Sequence, residues 1–82
     1  MDLLKLTEDL ILAITVDKDM VAVKEFPTEE ENTLLIQVMV SEEDMARVIG
    51  KNGKVINAIR TLVQASSWTR DNKLIKINVD SI

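Results

Sequence analysis

The sequence predicts a two-layer α+β domain, in which a three-stranded mixed sheet carries three helices on one face in the order α-β-β-α-α-β. Three observations carry that prediction. Residues 2–15 and 54–69 place apolar side chains every three to four positions, the spacing of an amphipathic helix. Residues 33–40 and 74–79 are short runs of branched aliphatics with the period of a strand. Two helical segments separate those strands, and a crossover of that kind makes them parallel, with a right-handed connection.

In the first helix Leu3, Leu4, Leu6, Leu10, Ile11 and Ile14 form the apolar stripe, with Lys5, Glu8 and Asp9 between them. It ends near "VDKDM", where Asp17 and Asp19 favour a turn. "VAVKEF" (21–26) is a short strand closed by Pro27 and the acidic "TEEEN", and it pairs with the next strand as an antiparallel hairpin. "TLLIQVMV" (33–40) is apolar on both faces, as a central strand would be. Ser41 then reads as an N-cap with Asp44 three residues on, a variant capping box, and Glu42, Glu43 and Asp44 suit the positive end of a helix over 42–49. Gly50 falls where a left-handed residue would end that helix. In the helix over 54–69, Val55, Ile56, Ile59, Leu62, Val63 and Ser66 form the inward stripe, and Asn57, Arg60, Thr61 and Gln64 the outer side. "RDNK" is a turn, and "LIKINV" alternates Ile75, Ile77 and Val79 with Leu74, Lys76 and Asn78.

Composition narrows the function. At 82 residues the chain makes one domain, 1–82, with a thin core. Without Cys or His it has no disulfide, no thiolate metal site and no nucleophile–base pair, so the reading is non-enzymatic, with no metal, cofactor or small-molecule substrate. No uncharged apolar run reaches the ~18 residues of a membrane span. Charges interrupt the first fourteen residues, which have neither a basic leader nor a cleavage site, so the expectation is a soluble cytoplasmic protein. The net charge of −4 is uneven: from Arg47 to Arg70 there are basic residues and no acid, and all fourteen acids lie elsewhere.

The chain has only two glycines, and both fall in "RVIGKNGKVINAIR" (47–60). A Gly inside a helix costs about 1 kcal/mol relative to Ala, so the pair marks a break between two helices. "VIGKNGKVI" (48–56) reads V-I-G-x-x-G-x-x-I, and with its flanking helices and the strand order it resembles the type II K-homology (KH) domain over nearly the whole chain. The resemblance implies that the Gly-x-x-Gly turn clamps the backbone of about four nucleotides of single-stranded RNA or DNA, the bases lying in an adjoining apolar groove. Gly50 and Gly53 would shape the turn, and Lys51 and Asn52 would face phosphate. Val48, Ile49 and Ile56 match apolar motif positions that serve the core, the base groove or both. Arg47 and Lys54 match no motif position and join the site through charge and proximity. The same resemblance makes residues 27–32 a loop at the groove's border, where Glu29, Glu30 and Glu31 would oppose a polyanion.

Trp68 projects away from Ile59 and Val63, beside Gln64 and Thr61, which suits a protein interface or packing on the final strand. As a single KH domain the chain is similar to the KhpA (YlqC) family of bacterial RNA-binding proteins. That similarity implies an RNA chaperone-type role, a homodimer or a heterodimer with a KhpB (Jag/EloR)-like protein, and a link to cell elongation and division. The rival reading is a protein-interaction and dimerisation module with incidental RNA contact.

Overall fold

A computed structural model describes residues 2–82. The elements are α1 (Leu3–Ile14), β1 (Ala22–Pro27), β2 (Thr33–Val40), α2 (Glu42–Ile49), α3 (Lys54–Arg70) and β3 (Leu74–Ser81), with short 3-10 turns at Lys18–Met20 and Lys51–Gly53. The sheet order is β1-β2-β3. β1 runs antiparallel to β2, with Val23 opposite Val38, and β3 runs parallel to β2, with Ile77 opposite Ile36. The order, the pairing and the central place of β2 are those the sequence predicts, and the fold is the type II KH-like arrangement. Bounds shift by one or two residues: α1 is a residue shorter at each end than predicted, β1 lies one residue later and includes Pro27, α3 extends to Arg70 and β3 to Ser81.

All three helices pack on one face of the sheet. Ile36, Val38 and Val40 of β2 point into that layer and are fully buried, against Ile11, Val48 and Val63, which are also fully buried. The α3 stripe is narrower than the sequence predicts. Ile56, Ile59, Val63 and Ser67 are buried, whereas Leu62 is 54% exposed and Ser66 only partly covered. A 3.6-residue period puts Leu62 about 100° from Val63, beyond the line of contact with the sheet.

Buried polar groups find partners with one exception among the described residues, the Thr15 hydroxyl, which has none. Thr7 donates to the Leu3 carbonyl at 2.8 Å, and Ser67 to the Lys73 carbonyl at 2.7 Å. Ser41 caps α2 by accepting from the Asp44 N–H at 3.3 Å. The Asp44 carboxylate, 1% exposed, does more than the capping box assigns it. It accepts from the N–H groups of Val16 (3.0 Å) and Asp17 (2.9 Å), and from Ser41 and Arg47. The Val16 hydrogen bond is the chief reason its pKa lies below the ordinary carboxylate value, since it outweighs the desolvation that would raise it. One carboxylate thus ties the turn after α1 to the start of α2.

Candidate nucleic-acid interface

The turn between α2 and α3 is built from backbone that ordinary residues avoid. Gly50 has φ 75° and ψ 175°, Asn52 φ 57° and Gly53 φ 77°. Gly50 therefore has the positive φ of a helix-ending glycine, but its extended ψ departs from the left-handed cap the sequence predicts. That combination is essentially restricted to glycine. Space adds a second reason: a Cβ on Gly50 would lie 2.9 Å from the Val55 nitrogen and overlap the Val55 side chain. Gly53 is left-handed, with only the Asn57 amide nearby at 3.5 Å, so its requirement is conformational alone.

Gly50 N–H bonds Ala46 and Gly53 N–H bonds Gly50, whereas the N–H groups of Lys51 and Asn52 have no protein acceptor among the described residues. α1 and α2 are capped by Asp2 and Ser41; α3 has no side-chain cap and no acid in its first turn. Successive amides in such a turn, beside the positive end of a 17-residue helix, make a concavity suited to an anion. Lys51 and Lys54 are exposed beside it, and neither is in an ion pair among the described residues.

The structure places the other predicted site residues unequally. Arg47 lies in the last turn of α2, where its guanidinium is 3.1 Å from both the Asp44 carboxylate and the Glu43 carbonyl, so it is partly engaged in holding α2. Val48 is fully buried and Ile56 is 3% exposed, both in the core cluster; of the three apolar motif positions Ile49 keeps the most surface. Trp68 is 51% exposed near the end of α3.

A feature the sequence does not announce runs from this turn along α3. Among the described residues β3 pairs only with β2, so its other edge is open, and α3 side chains meet that edge. Arg60 donates to the Ile77 carbonyl through Nη2 at 3.0 Å and Nε at 3.3 Å. Gln64 accepts from Ile75 N–H at 2.8 Å and donates to the Lys73 carbonyl at 2.9 Å. Between helix and edge lies an open cleft of about 440 Å³ lined by Arg60, Thr61, Gln64, Ala65, Trp68 and Ile75. The acidic hairpin loop is tied to β3, where Leu74 N–H bonds the Asn32 carbonyl and Glu30 is held by Lys76 at 2.9 Å. No cluster of acids that could hold a metal ion occurs among the described residues, and no helix among them is long and apolar enough to cross a membrane.

The model of the KhpA/KhpB KH domain matches residues 5–80. The chain is 48% identical over 48 residues to RNA-binding protein KhpA of Listeria monocytogenes, a match covering 58% of this chain and 63% of that one. It is 35% identical over 75 residues to RNA-binding protein KhpA of Thermotoga maritima, covering 92% of this chain and 95% of that one. The KhpA of Caldanaerobacter subterraneus is 34% identical over 71 residues, 87% of this chain and 92% of the relative. Among solved structures, Era in complex with MgGDPNP and nucleotides 1506–1542 of 16S ribosomal RNA superposes with a TM-score of 0.72 at 18% identity, over 98% of this chain and 30% of Era, which is a likeness of fold. Because the family match runs through nearly every element described above, the chain belongs to the KhpA/KhpB KH-domain family.

Proposed function

We propose that this chain is a non-catalytic, single-stranded RNA-binding module that grips the phosphate backbone of about four nucleotides with Gly50–Gly53 and the first turn of α3. The observation that carries the reading is the start of α3, which no side chain caps, with the Lys51 and Asn52 amides unsatisfied and Lys51 and Lys54 in no ion pair among the described residues. Relatives named RNA-binding protein KhpA support it. Lys51 and Lys54 supply charge, Asn52 lies at the contact, and Ile49 borders the bases. Val48 and Ile56 act by fixing the two helices, and Arg47 adds charge at the rim. The setting is the cytoplasm and the role RNA chaperone-type. The test is titration of short single-stranded RNA at low salt into the wild type and the folded Lys51→Asp/Asn52→Asp variant. Binding should fall at least tenfold; equal binding by both proteins removes the assignment.

The half-exposed apolar surfaces of Leu62 and Trp68 favour a second reading, in which a homodimer or a complex with a KhpB-like protein is the working form. Sedimentation of wild type, Leu62→Ala and Trp68→Ala discriminates, since a strict monomer at high micromolar concentration counts against self-association.

A further inference from the structure

We propose that Trp68 is a stacking platform for a nucleobase, so that one RNA strand is held twice: by phosphate at the glycine turn and by a base at the far end of α3. The proposal rests on the RNA-binding reading above and extends its footprint beyond the turn.

Position on the helix is the first argument. Lys54, Asn57, Thr61, Gln64 and Trp68 follow one another at steps of three and four residues, so they form a single stripe along α3. The stripe begins at the turn and ends at the indole, about 21 Å away at 1.5 Å per residue. None of its members is acidic; Lys54 is exposed at one end and Trp68 at the other, while Asn57, Thr61 and Gln64 between them hydrogen-bond within the protein. Leu62 is not part of it, since six residues of helix set it about 120° around the axis from Trp68. The two exposed apolar residues of α3 therefore face different directions and need not serve the same partner.

The surroundings of Trp68 are the second argument. It is 51% exposed where it lines the cleft with Arg60, Gln64 and Ile75. The Arg60 guanidinium is fixed by the Ile77 carbonyl and by Asn57 Oδ1 at 3.1 Å, so a cation stands in the same cleft as the ring. An exposed aromatic ring in one cleft with a fixed cation, in a segment without acids that begins at the proposed phosphate-binding turn, matches a nucleotide: flat base on the indole, phosphate toward the arginine. At a stacked spacing of about 3.4 Å per nucleotide the stripe spans about six nucleotides, so a short oligomer reaches only one end of it.

Trp68 is the only tryptophan, which makes its fluorescence a direct readout. RNAs of about four and about ten uridines are titrated into the wild type, Trp68→Ala, Trp68→Phe and Lys51→Asp/Asn52→Asp, each checked by circular dichroism. Saturation of the wild type with the longer RNA should quench the emission. Trp68→Ala should bind that RNA about tenfold more weakly, with less than about a twofold change for the shorter one, and Trp68→Phe should recover part of the loss. Unchanged affinity of Trp68→Ala for the longer RNA, or no quenching at saturation, overturns the platform and leaves the glycine-turn reading standing. Full binding by the aspartate variant overturns that reading instead. Loss of a dimer in Trp68→Ala with RNA affinity intact assigns the residue to a protein contact and also overturns the proposal.

Discussion

Replacing Gly50 with Ala should damage this protein far more than the same change at Gly53, although both glycines have positive φ. At Gly53 the left-handed conformation costs an L-residue about 1–2 kcal/mol, and the new Cβ meets nothing closer than 3.5 Å. At Gly50 the extended ψ places the residue where only glycine is at ease, about 1–3 kcal/mol for anything else. The Cβ must in addition displace Val55, whose nitrogen would be 2.9 Å away, and overpacking of that kind costs about 1–3 kcal/mol. The sum, about 4 kcal/mol, is a large fraction of the roughly 4–12 kcal/mol that holds a domain of this size together. Urea unfolding followed by circular dichroism should place the Gly50→Ala midpoint about 2 M below that of Gly53→Ala, taking a slope of about 1 kcal/mol/M. Asn should be tolerated at 53 and not at 50, because Asn accepts the left-handed region but not the extended one. Equal midpoints for the two alanine variants would refute the claim that the turn's geometry centres on Gly50.

RNA affinity should depend on salt with a log–log slope of about −2 if about three phosphates are held, hence about a sixteen-fold loss for a fourfold rise in salt, measured by fluorescence anisotropy. The Asp44 carboxyl has a lowered folded-state pKa, so its contribution to stability is present above the ordinary value of 3.8 and disappears as pH falls through the folded value. Asp44→Asn should therefore lower the urea midpoint near neutrality and flatten its decline in acid, and an unchanged acid limb would contradict this. Val63→Ala should cost about 2 kcal/mol, since Val63 is fully buried, whereas Leu62→Ala should stay within about 0.5 kcal/mol, as read by thermal melting.

The fold was legible because its signals are local and agree with one another. The period of α1 and α3, the two-sided apolar pattern of β2 and the crossover between β2 and β3 each pointed to the same sheet. Hydropathy misled where a residue's own hydrogen bond, or the far neighbour of a helix, decides its place. Thr7 and Ser67 are buried because nearby carbonyls satisfy their hydroxyls, and Leu62 is exposed because the sheet does not reach that side of α3. The Asp44 carboxylate reads as a cap because its partners at Val16 and Asp17 lie 28 and 27 residues away. At the candidate site the glycine spacing exposed the turn, and nothing in the sequence said that Arg60 and Gln64 would meet the edge of β3. Contacts of that kind depend on how helix and strand are brought together, which no local pattern encodes.

The hold that Arg60 and Gln64 take on β3 also bears on how safely this chain can accumulate. A bare strand margin invites another copy to add itself, ribbon upon ribbon, toward fibrils. Here a charged fork and a carboxamide already occupy part of that margin, and at the opposite side of the sheet the six residues of β1 end in proline, which cannot donate to a newcomer. Stripping both groups from α3 should leave a well-folded protein that clumps on storage, a hazard the intact molecule is built to resist.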